Sequence, residues 1–359
     1  MEKIKIEKLL EAAILAPSGD NTQPWRLSVA NDYSGLTLYN LPDKDYSYYN
    51  YQQVASYISH GAVIENITIA ARYLGLSANV ELFPNPTNPH QVANIYFADQ
   101  EQVIDPLYEA IFSRSTNRFK YQPAKSTIYD LNLLADSIKT VPEVCSHFAT
   151  SSNIIKKLAI AFMINDSLVF ECQEIHEFLF KQIRWNQKQI AEHSDGMPVD
   201  ALGLHWIEKL MFPLMRFWRF VVFANYFGLS KVVGLKCWYN LHDVPIIGML
   251  CVKNSDRTGF IHAGRAMQLV WLEATRQGLD FQPIIGLPLL FYRSKREPLN
   301  ILPEKRQKQI LQAETNLRNL FDINFSEDLL IGFRIGKAIK KSIKTPRNIS
   351  NLKDYRSLN

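Results

Sequence analysis

Ala16-Pro17-Ser18-Gly19-Asp20-Asn21-Thr22-Gln23-Pro24-Trp25 is the stretch on which the reading of this chain turns. An apolar helical pattern (Leu9, Leu10, Ala13, Ile14) runs into it, and an alternating pattern (Leu27, Val29) leaves it. Pro17 stops the preceding helix, because it has no N–H to donate and its ring collides with the turn before. Ser18, Asn21 and Gln23 then offer donors and acceptors on a loop. Trp25 supplies a large apolar anchor for that loop. Helix-to-strand turn chemistry accounts for the residue types, but the stretch is longer and more specific than a turn requires.

Composition narrows the possibilities. A chain of 359 residues, 47% hydrophobic and 21% charged, can bury one large core or two modest ones. Its 40 basic and 35 acidic residues give a net charge of +5. They are interspersed, so nothing calls for a nucleic-acid partner. The exception is a basic run near the end, at Lys337, Lys340, Lys341, Lys344, Arg347, Lys353 and Arg356, which reads as a solvated arm or a phosphate contact. Cys145, Cys172, Cys237 and Cys251 form no C-x-x-C pair, which favours reduced thiols and a cytoplasmic setting. The charged amphipathic start does not read as a signal peptide. The most apolar run, 210–229, is broken by Pro213, Arg216 and Arg219. No membrane span is expected there, and a buried or lid-forming helix is. No histidine spacing suits a metal, and His60 and His262 read as helix N-terminal turn residues.

Periodicity predicts helices over 5–16, 52–74, 104–112, 128–138, 153–192 (one or two), 204–227 and 261–277. It predicts strands over 26–30, 36–39, 80–83, 93–97, 246–252 and 329–335. Residues 61–76 and 264–279 carry one pattern: each holds two glycines at the same spacing, Gly61 with Gly75 and Gly264 with Gly278, and each ends in Gly-Leu before a strand. Two unrelated helices with glycine C-caps are the bland account. A duplication into halves 1–100 and 101–359 is the sharper one.

Arg114-Ser115-Thr116-Asn117-Arg118 places two guanidiniums around hydroxyls, a set suited to phosphate. Gly278–Gly286, containing Gln282, Pro283 and Ile284, reads as a helix-to-strand turn. Lys344-Thr345-Pro346-Arg347 lies in the basic run.

These motifs together resemble the nitroreductase superfamily of flavin enzymes. The first stretch is similar to its Ala-Pro-Ser-x-x-Asn-x-Gln-Pro-Trp signature, and Arg114–Arg118 to its Arg-x-Ser/Thr-x-Arg/Lys phosphate element. Residues 278–286 resemble the family's loop near flavin N5, Phe333–Gly336 its last strand, and Arg347 its trailing phosphate-binding arginine. Each half lacks the motif that the other keeps, which resembles the Acg-like branch, where one chain imitates a dimer. The resemblance implies an α+β fold with a central mixed or antiparallel sheet flanked by helices. It also implies flavin mononucleotide (FMN) held by Pro17, Ser18, Gly19, Asn21, Gln23, Arg114, Ser115, Thr116, Arg118, Gln282, Pro283, Ile284, Lys344 and Arg347. An NAD(P)H oxidoreductase is implied, with a nitroaromatic or quinone-like electron acceptor and no named acid or base. A flavin store with an occluded cofactor, or a specialised dehydrogenase or maturation factor, is the alternative. The assembly would be a monomeric pseudo-dimer or a homodimer. The segment 184–229 has no first-half counterpart and reads as a lid hinged at Gly196, Gly203, Gly228 and Gly234, or as core. Trp206, Met211, Phe212, Met215, Phe217, Trp218, Phe220 and Phe223 are expected to be buried.

Overall fold

The first half follows the predicted order. The computed structural model describes residues 2–348, so Lys353 and Arg356 of the basic run lie outside the described residues. Helix α1 (Lys3–Ile14) leads through the Pro17–Gln23 loop into β1 (Trp25–Val29) and β2 (Gly35–Asn40). Helix α2 (Val54–Tyr73), β3 (Leu76–Leu82) and β4 (Gln91–Asp99) complete the half. Two short helices follow, α3 (Tyr108–Ser113) and α4 (Leu131–Asp136), then β5 (Val144–Ala149).

A long excursion comes next: α5 (Ser152–Val169), α6 (Gln173–Lys181), β6 (Ile183–Arg184), α7 (Gln187–Glu192), β7 (Met197–Pro198), α8 (Trp206–Met211), α9 (Trp218–Asn225) and α10 (Leu229–Leu241). The chain then returns through β8 (Ile246–Val252), α11 (Arg257–Arg276) and β9 (Asp280–Ile284). It ends with α12 (Gly286–Ser294), α13 (Glu304–Phe321) and β10 (Asp328–Gly336).

The class is α+β, with antiparallel sheets. One four-stranded sheet has the order β1-β2-β4-β3 and the other β5-β8-β10-β9. All the pairings within both are antiparallel. The orders are the same once β1, β2, β3 and β4 are matched with β5, β8, β9 and β10. In each half a 20-residue helix, α2 or α11, follows the second matched strand.

The glycines of the two similar stretches explain the joint between the halves. Helix α2 is small and apolar nearly all round and is buried along almost its whole length, as such a helix must be. It packs on α11. A Cβ on Gly61 would strike the carbonyl oxygen of Ile261, and one on Gly264 would strike that of Ile58. The contact is reciprocal, as across a two-fold axis. Glu65 pairs with Arg265 at 2.8 Å and Asn66 bonds Gln268 at 2.7 Å beside it. Gly75 and Gly278 both take φ +73°, ending the two helices in the left-handed turn that favours glycine. One apolar core, including Trp25, Ile64, Trp271 and Phe333, spans both halves.

Several expectations need correction. His60 and His262 lie inside α2 and α11, because those helices begin at Val54 and Arg257. The helix expected over 204–227 is broken into α8, a 3-10 turn entered at Pro213, and α9. Of the eight residues expected to be buried there, Phe212 is buried. Trp206, Met211, Phe217 and Phe223 are exposed, and Met215, Trp218 and Phe220 are half-buried. Gly234 lies within α10 against Ser167 and Met163 of α5, so it is a packing position and no hinge. Within residues 278–286, Gly278 turns the chain out of α11 and Asp280–Ile284 is an edge strand, with Pro283 where the lost N–H costs no ladder bond. Among the described residues no single helix is long and apolar enough to cross a membrane. The pair α9 and α10 passes by length and composition together, but is bent by 86°.

Candidate functional site

The loop after α1 is held in an unusual backbone state. Asp20, Asn21 and Gln23 have φ of 45°, 57° and 51°, a region that Asp and Asn enter more readily than other side chains. The Ser18 hydroxyl accepts from the Gln23 N–H at 2.9 Å and closes the turn. Two amides then fasten distant segments to it. Asn21 Nδ2 donates to the carbonyls of Gly196 (2.9 Å) and Pro346 (3.0 Å), and its Oδ1 accepts from Arg347. Gln23 Nε2 donates to Ser194 O at 2.7 Å, while its Oε1 accepts from Asn348 N–H at 2.8 Å. The loop therefore joins the excursion to the C-terminal arm.

Between these segments lies a cavity of about 60 Å³ lined by Pro17, Ser18, Asn21, Arg114, Ser115, Thr116, Arg118, Lys344 and Arg347. Arg114 is buried, donates to Leu15 O at 2.6 Å and lies 4.3 Å over the Trp271 ring. Its Nε, Arg118 Nη1 and Arg347 Nε are buried without a hydrogen-bond partner. Burial, and then the charge of Arg347, push Arg114 well below the ordinary guanidinium range. Burial brings Arg347 down to about 10. Lys344 adds a fourth cation, its Nζ donating to Phe112 O at 2.9 Å. Among the described residues no carboxylate forms an ion pair with any of the four. Uncompensated buried charge costs several kcal/mol, about what breaking a buried pair costs. Such a set has the chemistry of a site for a multiply charged oxyanion.

A second cavity, about 300 Å³, shares Pro17, Ser18, Thr116 and Arg118 with the first. Trp271 and Met267 of α11, the Tyr48-Tyr49 pair and Gln282–Gly286 form much of its wall. The hydroxyls of Tyr48 and Tyr49 and Asn165 Oδ1 are buried without partners. A third space, about 330 Å³, shares Asp20, Arg118, Asp166, Gln282 and Ile284 with the second. Its far wall is apolar, built from Phe180, Leu202, Leu204, Phe212, Met215 and Val233.

Two carboxyls stand where these larger spaces meet. Burial, then Asp45, raise Asp20 to about 6, against the pull of Arg118. Burial also raises Asp166, against hydrogen bonds with Cys237 and Asn165. Both can hold a proton at a pH where an ordinary carboxyl has lost it. The arrangement offers an anion cradle, an aromatic-walled cavity beside it and a separate apolar chamber beyond.

Of the fourteen residues singled out in the sequence, thirteen line the first two cavities. Gln23 lines neither and acts as a clasp. Asn21 lines the small cavity, but its amide is committed to the protein. Sequence reasoning passed over Asp20, Tyr48, Tyr49, Asp166 and Trp271. A polar Asn165-Asp166 pair at the end of an apolar helix was the available signal for one of them.

No protein-family model matches the chain. An uncharacterized protein of Mycobacterium tuberculosis (strain CDC 1551 / Oshkosh) is 24% identical over 96% of this chain, which spans 47% of that relative's length. The protein named "Putative NAD(P)H nitroreductase acg" of Mycobacterium tuberculosis (strain ATCC 25618 / H37Rv) is 27% identical over 76% of this chain and 78% of its own. Among solved structures, the FMN-dependent nitroreductase NfnB from Mycobacterium smegmatis in complex with NADPH aligns at TM-score 0.39 and 12% identity. It covers 68% of this chain and 95% of its own. The chain is thus similar to a relative named as a nitroreductase over about three quarters of both chains.

Proposed function

We propose that this chain is an FMN-dependent oxidoreductase drawing electrons from NAD(P)H, assembled as a pseudo-dimer with one flavin site between its halves. The carrying observation is the set of three guanidiniums, Arg114, Arg118 and Arg347, whose buried N–H groups lack partners around the 60 Å³ cavity. FMN fits this donor set: its phosphate would take those cations with Lys344, Ser115 and Thr116. Pro17, Ser18, Gly19, Gln282, Pro283 and Ile284 would border the remainder, with Asn21 and Gln23 holding the loop closed. The bound flavin would supply the redox chemistry. The chain's own work is to neutralise the phosphate, keep water from the aromatic cavity and hold protons at Asp20 and Asp166. The matched sheet orders and the reciprocal Gly61–Gly264 contact support the duplication. The 330 Å³ chamber gives room for a nitroaromatic or quinone-like acceptor beside the flavin space and counts against an occluded flavin store.

Denaturing the purified protein and measuring released flavin tests the reading, with one FMN per chain expected. Arg114→Gln with Arg118→Gln removes two charge-assisted bonds worth about 1.5–3 kcal/mol each, roughly one to two decades of affinity apiece. Two flavins per chain, no flavin after supplementation, or undiminished affinity in the double variant would overturn it.

A further inference from the structure

The excursion between β5 and β8 turns an apolar surface outward. Trp206 and Leu210 of α8 are 69% and 72% exposed, and Tyr226 and Phe227 at the bend between α9 and α10 are 84% and 77% exposed. Val232, Leu235 and Tyr239, spaced three and four apart on α10, continue the exposed set. The Glu208–Lys236 ion pair ties α8 to α10, so these stripes lie on adjoining helices. The inner side chains Leu202, Leu204, Phe212 and Met215 wall the 330 Å³ chamber. One segment thus forms the chamber wall and the outer face. Such a concentration of exposed apolar side chains marks an interaction surface.

Charge identifies what it meets. Residues 204–241 contain five basic side chains and one acidic one. Glu208 is spent on Lys236, and Lys209 pairs with Asp200 at 2.5 Å from outside that stretch. Arg216, Arg219 and Lys231 are exposed and have no carboxylate among the described residues. A two-fold contact with a second copy would place this surface against itself, cation facing cation. An anionic bilayer accepts both features: aromatic and aliphatic side chains enter the headgroup boundary while Arg and Lys meet lipid phosphates. The bent α9–α10 pair, apolar enough by composition for a membrane, suits lying in the interface rather than crossing it.

We propose that the exposed face of residues 206–239 docks this protein onto anionic membrane surfaces. The proposal stands independently of the flavin reading. Flotation of the full chain with phosphatidylcholine vesicles, and with vesicles partly replaced by phosphatidylglycerol, is the test. Binding to the anionic vesicles that weakens with salt is expected. Tyr226→Ser with Phe227→Ser should abolish it. Arg219→Gln with Lys231→Gln should weaken it roughly thirtyfold, from about a decade or less per cation. Because all four positions are exposed, thermal midpoints should match the parent, which separates lost docking from lost folding. No flotation of the parent overturns the proposal, as does equal binding to both vesicle types. A dimer dispersed by Tyr226→Ser with Phe227→Ser, in a parent that does not float, assigns the face to a second copy instead.

Discussion

Asp20 and His60 carry opposite pH dependences, and the two act over nearly the same range. Burial and Asp45 lift Asp20 from 3.8 to about 6. Between those values the folded chain keeps a proton that the unfolded chain has lost, so stability falls as pH rises through the window. The full effect is at most about 3 kcal/mol, at 1.36 kcal/mol per pKa unit. His60 is wholly buried in α2, with Nε2 donating to Pro24 O at 3.1 Å, and burial lowers it from 6.5 to about 4. There the unfolded chain takes the proton first, so His60 stabilises above pH 6.5 and that stability is lost as pH falls toward 4. In the parent protein the slopes oppose each other. Asp20→Asn removes one of them, and Asn tolerates the φ of 45°. The flavin-free variant is expected to melt higher than the parent at pH 7 to 8. It should lose that advantage steeply between pH 6.5 and 4, where the parent changes less. Melting curves of both over that range check it, and parallel curves would refute the Asp20 assignment.

The two long helices meet with backbone against backbone, and this is where the similar stretches of sequence acquire a physical cause. Gly61→Ala would press a methyl group into the carbonyl of Ile261, and Gly264→Ala into that of Ile58. Backbone cannot swing aside as a side chain can, so each change should cost about 3 kcal/mol, at the upper end of overpacking costs. The pair should cost less than the sum, because the first change already separates the helices. Denaturant midpoints of the singles and the double measure this. The same crossing shows what sequence can convey. Glycine spacing announced the similar helices, and turn residues with Pro17 and Trp25 announced the loop. Strand β5 was not recognised, since His147 interrupts its pattern and pairing with β8 supplies what propensity lacks. The helices after β9 were not assigned. The arginine motif was legible. The carboxyls were less so, because Asp20 and Asp166 gain significance from cavities that only the tertiary fold creates.

Neither half has a complete interior of its own. Helix α2 belongs to the first half, yet its face around Gly61 is covered by α11, and the core that holds Trp25 also holds Trp271 and Phe333. Separating the halves would expose that face together with Asn66, whose Oδ1 accepts from Gln268. It would also leave Glu65 buried in its own half without Arg265. A buried polar group stripped of its partner costs about 1–3 kcal/mol, and more when charged. Residues 1–100 made alone are therefore expected to show no cooperative melt, whereas the two halves co-expressed as separate chains should associate. In the intact chain, fluorescence from the six tryptophans and far-ultraviolet circular dichroism should report one shared transition. If FMN is held as proposed, by Pro17–Asn21 and Arg114–Arg118 together, adding it should raise that transition as a whole, since it would bind neither half by itself. A cooperative melt of the isolated first half, or a flavin shift confined to one of two resolved transitions, would mean that the halves are independent domains in contact and not one folding unit around a shared site.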